Sequence, residues 1–233
     1  MKNLINKITK SAMISVIVLG IETGVYKTEA QIREVQSDYL FSSKDTTSKI
    51  PKEEYDAIYG LFWPVYKHPI DFYQTDNKGR IRLENKKIIY LDANKIDLKE
   101  LPESIGNLKS LGILYLDNNQ LKSIPESIGN LKSLGILYLD NNKLESIPES
   151  IGNLKSLKWL YLDNNKLESI PESIGNLDSL KELRLDNNQL ESIPKSIGNL
   201  KKLEHLSLVK NQLNKKSIKF LQELGKKGVD VIY

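Results

Sequence analysis

From Leu108 onward the chain repeats one phrase, beginning LKSLGILYLDNNQLKSIPESIGN. Further copies open at Leu131, Leu154 and Leu177, and a fading one opens at Leu200, so the period is 23 residues. An earlier copy, read from Leu83 to Asn107, matches if two extra residues lie between Asn94 and Pro102. A fixed period of this size restricts the fold more than any composition does. Each copy is one coil that cannot bury its apolar side alone, so coils must stack and the stack must be capped at both ends.

One coil spells out its own geometry. Leu111, Leu114 and Leu116 point inward, the last two on alternate positions of a short strand. Leu121, Ile124, Ile128 and Leu131 close the coil from the opposite side. Asn119 stands where the chain leaves the strand, placed to satisfy backbone groups that stacking would bury unpaired. Pro125 suits an extended segment with no ladder to donate to, and Gly129 suits a tight turn at positive φ.

The pattern L-x-x-L-x-L-x-x-N-x-L resembles the leucine-rich-repeat family. The following I-P-x-x-I-G-x-L is similar to a short class found in secreted bacterial proteins and intracellular scaffolds. The resemblance implies an α/β repeat solenoid, a right-handed superhelix with a parallel sheet of six strands on its concave side. Together with export, it resembles internalin-type adhesins and implies a host cell-surface receptor, such as a cadherin, as partner. No cell-wall sorting motif follows the repeats, which separates this chain from a whole surface adhesin.

Export is read from residues 1–30. Lys2, Lys7 and Lys10 form a charged start, Ala12 to Ile21 an apolar stretch too short to span a bilayer, and Thr28-Glu29-Ala30 a cleavage site ahead of Gln31. The expected destination is the medium or outer surface, with the periplasm as the alternative and no membrane insertion of the mature form. Residues 31–50 read as a flexible polar leader. Net charge is +4, of which the first thirty residues hold +2, so nothing argues for nucleic acid. The absence of cysteine removes disulfides and thiolate chemistry.

Residues 51–82 read as an N-terminal cap. Tyr55, Ile58, Tyr59 and Phe62 share one helical face, and Pro64 ends the helix. Ile70–Thr75, the turn Asp76–Gly79 and Arg80–Leu83 form a hairpin. Trp63, Tyr66, Phe72 and Tyr73 complete an aromatic lid over the first coil. After the repeats, 83–213, residues 214–233 form the closing cap. Its helix runs Ser217–Leu224 with Ile218, Leu221 and Leu224 inward, Gly225 stops it, and a last strand spans Val229–Ile232.

No catalytic template is present: no phosphate-binding glycine loop, no H-E-x-x-H, and two histidines in all, His68 and His205. His205 lies near Glu182 and Ser207, but nothing builds an oxyanion hole beside them. The expectation is a binding protein without a cofactor.

The informative positions flank the inward strand leucines and stack into files. One file reads Ile88, Ile113, Ile136, Trp159, Glu182, His205, and its neighbour reads Tyr90, Tyr115, Tyr138, Tyr161, Arg184, Ser207. Apolar and aromatic side chains where water is expected mark an interaction patch. Tyr115, Tyr138, Tyr161 and Trp159 are the expected anchors, with Tyr90, Ile113, Ile136, Glu182, Arg184 and His205 around them. An acidic file runs Asp92, Asp117, Asp140, Asp163, Asp186. Three readings stay open for it: shaping the turn, awaiting a basic partner surface, or holding a hard cation such as Ca²⁺.

Overall fold

The computed structural model describes residues 51–66 and 80–233, without the side chains of Tyr55 and residues 62–66. The predicted export signal, leader, Ile70–Thr75 strand and Asp76–Gly79 turn, and His68, lie outside the described residues. So do the rings of Tyr55, Phe62, Trp63, Tyr66, Phe72 and Tyr73.

Among the described residues, eight strands make one sheet in strict sequence order. They are β1 (Ile81–Glu84), β2 (Lys87–Asp92), β3 (Ile113–Tyr115), β4 (Ile136–Tyr138), β5 (Trp159–Tyr161), β6 (Glu182–Arg184), β7 (His205–Ser207) and β8 (Asp230–Ile232). Strands β2 to β8 run parallel, and β1 pairs antiparallel with β2. Most are only three residues long, so each buries a single side chain between two outward ones. Those central residues, Leu114, Leu137, Leu160 and Leu183, are wholly buried.

Opposite the sheet, the I-P-x-x-I-G-N phrase makes a 3-10 turn in every coil, at Glu103–Asn107, Glu126–Asn130, Glu149–Asn153, Glu172–Asn176 and Lys195–Asn199. Proline precedes each turn in extended conformation, as at Pro125 with φ −70° and ψ 154°. There its missing N–H costs nothing. The seven apolar side chains predicted to fill the second coil are all buried, Ile124 being the most exposed at 6%.

Asparagine binds coil to coil. Asn142 Oδ1 accepts from Leu121 N–H of the preceding coil at 3.1 Å, while Nδ2 donates to Leu116 O and Leu139 O at 3.0 Å each. Asn119, Asn165 and Asn188 do the same one coil away. The preceding asparagine of each pair, such as Asn141 at φ 56°, takes the left-handed conformation that this residue tolerates. Glycine serves a different need from the predicted one. Gly228 is the one glycine at positive φ among the described residues. At Gly129 the reason is close approach, since a Cβ there would lie 2.6 Å from the Ser150 carbonyl oxygen.

The first coil departs from its sequence reading. No two-residue insertion exists: Leu91 pairs with Leu114, and the asparagine slot of that coil falls on buried Ile96. Lys95 occupies the left-handed position equivalent to Asn118. Asn94 imitates the asparagine of the motif two residues early, and this displaced the expected register.

The caps close both ends. Helix α1 (Lys52–Tyr66) buries Ala57, Ile58, Tyr59 and Leu61, and it continues two residues past Pro64, where the sequence predicted its end. Its Glu54 carboxylate accepts the Ile88 N–H at 2.7 Å, tying α1 to β2, and burial raises that carboxyl's pKa. Arg80–Leu83, whose predicted upstream partner Ile70–Thr75 lies outside the described residues, pairs downstream. It forms a hairpin with β2 through Asn85 and Lys86, both at positive φ.

At the other end helix α2 (Lys215–Lys226) is capped by Asn214, whose side chain accepts from Ser217 N–H at 2.9 Å. Leu221 and Leu224 are buried as predicted, with Ser217 in place of Ile218 as the third buried residue. Gly225 lies inside the helix, which ends at Lys227 and Gly228. No helix among the described residues is long and apolar enough to cross a membrane.

Candidate functional site

With the true register of β2, the sheet's outer face carries two files. The first is Tyr90, Ile113, Ile136, Trp159, Glu182, His205, Asp230, and the second is Asp92, Tyr115, Tyr138, Tyr161, Arg184, Ser207, Ile232. Tyr90 therefore belongs with the isoleucines and Asp92 with the tyrosines. Ile88 is fully buried at the position of Leu111. Asp230, Ile232 and Arg82 join the face without a repeat signal, because the caps that supply them do not spell the motif.

The anchors are half-buried, and their burial comes from one another. Tyr115 and Tyr138 stack with centroids 4.5 Å apart at 6°, and Tyr138 and Tyr161 stack at 4.5 Å and 13°. Tyr90 leans in from the next file, 5.7 Å from Tyr115 at 55°. Strand spacing of about 4.8 Å dictates this closeness, since identical side chains in register have nowhere else to go. The stack hides ring faces and turns ring edges and hydroxyls to water. Tyr161 donates to Glu182 Oε2 at 3.3 Å. Burial, then the Glu182 charge, pushes the Tyr161 phenol well above its usual range.

An arginine closes each end of the row. Arg82 lies 4.5 Å over the Tyr90 ring and Arg184 lies 5.9 Å from the Tyr161 ring. Lys158 stands 5.9 Å from the Trp159 ring.

The aspartate file is a backbone ladder. Asp140 Oδ1 accepts Asp163 N–H, Asp163 Oδ1 accepts Asp186 N–H, and Asp186 Oδ1 accepts Val209 N–H, each at 2.8 Å. Each carboxylate therefore serves the coil 23 residues ahead, not its own turn. Asp92 alone makes the local turn bond, to Asn94 N–H at 3.0 Å. Burial raises the Asp140 pKa from 3.8 to about 6 and moves Asp163 the same way. Arg184 Nε meets Asp163 Oδ2 at 2.9 Å. Lys143 reaches Gln120 instead of an aspartate. Among the described residues no three Asp, Glu or His side chains converge to hold a metal ion.

Beyond Tyr161 the face is charged and internally paired. Lys181 meets Glu204 at 2.7 Å, His205 Nδ1 meets Asp230 Oδ2 at 3.0 Å, and Ser207 Oγ donates to Asp186 Oδ1 at 2.5 Å. His205, Asp230, Ser207 and Asp186, with Glu182 and Arg184, line a cleft of about 340 Å³. Ser207 and His205 turn to different aspartates, so no proton relay joins them.

Comparison with known proteins matches two family models: a leucine-rich repeat region over residues 136–227 and a leucine-rich repeat over 110–131. Solved structures are similar as well, three of them as follows. The leucine-rich-repeat protein LIC12759 of Leptospira interrogans is 37% identical, with TM-score 0.49 over 61% of this chain and 42% of that one. An internalin (inlF) of Listeria monocytogenes is 26% identical, with TM-score 0.52 over 62% of this chain and 40% of that one. The PEPR1-AtPEP1 crystal structure is 37% identical, with TM-score 0.54 over 59% of this chain and 20% of that one. The chain thus spans less than half the length of each. No curated protein matches it.

Proposed function

Taking the repeat region as a leucine-rich-repeat domain related to bacterial leucine-rich-repeat and internalin proteins, we propose that this chain is an exported protein-binding module. It engages a host cell-surface receptor, of cadherin or matrix type, through the outer sheet face, which forms the concave wall of a right-handed rod. It is a binding protein and not an enzyme. The observation that carries the reading is the stacked row Tyr115–Tyr138–Tyr161 with Trp159 beside it, half-buried on a face that no other element among the described residues covers.

Aromatic side chains of this kind supply large rigid contact area at low entropic cost and dominate interface energetics. Their grouping ahead of a charged region matches an apolar anchor with a polar rim. The face's columns of like residues suit a partner that runs along the strands' stacking direction.

The test is binding of the fluorescently labelled chain to cultured host cells before and after surface proteins are stripped with trypsin. Saturable binding that disappears on stripping supports a protein receptor. Binding that survives stripping points to lipid or glycan and contradicts the proposal. Fractionation of the producing cell tests export, and retention in the periplasm alone would replace the host receptor by the cell's own proteins.

A further inference from the structure

The molecule solves the same electrostatic problem at both ends of its tyrosine row and leaves it open in the middle. At the C-terminal end Arg184 replaces the tyrosine of its file, lies by the Tyr161 ring and pairs with Asp163 at 2.9 Å and Asp186 at 3.9 Å. At the N-terminal end Arg82 covers Tyr90, and Arg80 Nη1 stands 3.7 Å from Asp92 Oδ1. Between them, beside Tyr115 and Tyr138, lie Asp117 and Asp140. Neither makes an ion pair with any described residue, and the nearby Lys143 is turned to Gln120. Asp117 also drops out of the backbone ladder: its Oδ2 accepts from Asn118 Nδ2 at 2.6 Å, and its Oδ1 is buried without a hydrogen-bond partner among the described residues.

Resting on the reading that this face docks a protein, we propose that the partner supplies the missing cation, an arginine side chain seated along the hydroxyl rim of Tyr115 and Tyr138 with its guanidinium on the Asp117 and Asp140 carboxylates. The geometry selects the ligand chemistry twice. Ring faces in the row are closed by stacking, and the open face of Tyr161 is taken by Arg184, so a sugar or nucleobase that binds by stacking finds no platform. What remains is a set of oxygen acceptors: the partly buried carboxylates of Asp117 and Asp140 and the phenol hydroxyls of the row. A planar cation with five donors fits several such acceptors at once, whereas an ammonium meets them one at a time. Arg184 already holds this arrangement one coil further on, against Asp163.

The experiment uses the full chain with ¹³C-labelled tyrosine and three blocked tripeptides, glycine flanking arginine, lysine or citrulline. Titration at neutral pH should move the Tyr115 and Tyr138 resonances saturably with the arginine peptide. Its affinity should exceed that of the uncharged citrulline peptide by roughly tenfold, as a charge-assisted bond requires. The Asp117→Asn/Asp140→Asn variant should still melt cooperatively, no earlier than the parent, and lose the response, while Arg184→Gln should keep the response. Equal responses to arginine and citrulline, or a response unchanged in the double asparagine variant, would overturn the proposal. Equal affinity for the lysine peptide would overturn the choice of guanidinium. Cell binding lost in Tyr138→Ala/Trp159→Ala but intact in the double asparagine variant would leave the docking face standing without its arginine. Cell binding intact in both would remove the two together.

Discussion

The two halves of the sheet face share one skeleton and differ in how they treat water. From β3 to β5 the outward residues are Ile113, Tyr115, Ile136, Tyr138, Trp159 and Tyr161, held by stacking at 4.5 Å. From β6 to β8 they are Glu182, Arg184, His205, Ser207, Asp230 and Ile232, and the charges among them are largely satisfied internally. Beneath both run the same buried leucines and the same asparagine bridges. The lesson is a division of labour. The repeated core fixes where side chains stand, and only the outward positions decide what the surface can bind. The charged half pairs its charges internally, whereas the aromatic half leaves ring edges, hydroxyls and two aspartates without an ion pair among the described residues.

The largest expected effect tests whether the skeleton is common to both halves. Asn142→Ala, under the aromatic half, and Asn188→Ala, under the charged half, each remove one acceptor and two or more donor contacts from buried backbone. Each should cost about 3 kcal/mol in urea unfolding, since the stranded carbonyls and N–H lose their partners. A cost confined to one half would break the comparison at its base.

Next comes the stack itself. Tyr138 has a ring on each side, so Tyr138→Ala should cost about 2 kcal/mol from two lost aromatic contacts and their area. Glu182→Ala, in the charged half, should cost less than about 0.5 kcal/mol. Similar costs would mean that the aromatic row is not a cohesive unit.

A third prediction concerns pH. Burial holds the Asp140 carboxyl at about 6, against 3.8 ordinarily, with Asp163, Asp117 and Arg184 as the charged groups facing it. The native state therefore binds more protons than the unfolded state between pH 4 and 6, and the Asp140 contribution makes stability fall as pH rises through that window. Asp140→Asn keeps an oxygen for the Asp163 N–H and removes the charge. It should flatten that slope and, after solvent screening, raise stability at pH 7.5 by about 1 kcal/mol relative to the parent. An unchanged slope would show that the ladder carries its charge without cost. The Glu54 carboxyl, also raised, titrates in parent and variant alike and cancels in the difference.

The smallest effect is at the junction of the halves. Arg184, nearly half exposed, bridges the Tyr161 ring and Asp163. Arg184→Gln should cost about 0.5 kcal/mol, shrinking as salt is added. A larger, salt-insensitive cost would make Arg184 part of the skeleton and not of the face.

What the sequence discloses follows the same division. Leucine and asparagine positions are legible because burial punishes departures, so Leu114, Leu116 and Asn142 stand where their spacing predicts. The first coil misleads because Asn94 looks like the motif asparagine while Ile96 fills the slot; the constant 23 residues from Pro102 to Pro125 is the signal that corrects it. The aspartate ladder is not readable, since a carboxylate's choice between its own turn and the next coil depends on stacking distance. Nor is the need for Gly129, which comes from the Ser150 carbonyl of another coil. The helix α2 face was legible to within one residue and its end was not: the left-handed glycine that stops the helix is Gly228 at φ 96°, and Gly225 is helical.

The most direct measurement compares the two halves in one binding assay. Full-length chain, Tyr138→Ala/Trp159→Ala and Glu182→Ala/His205→Ala are titrated onto the same host cells, after each is shown to melt cooperatively. The account predicts at least about tenfold weaker binding for the aromatic pair and less than about threefold for the charged pair, as hot-spot anchors and rim residues differ. Undiminished binding by the aromatic variant, or a greater loss in the charged one, would contradict it.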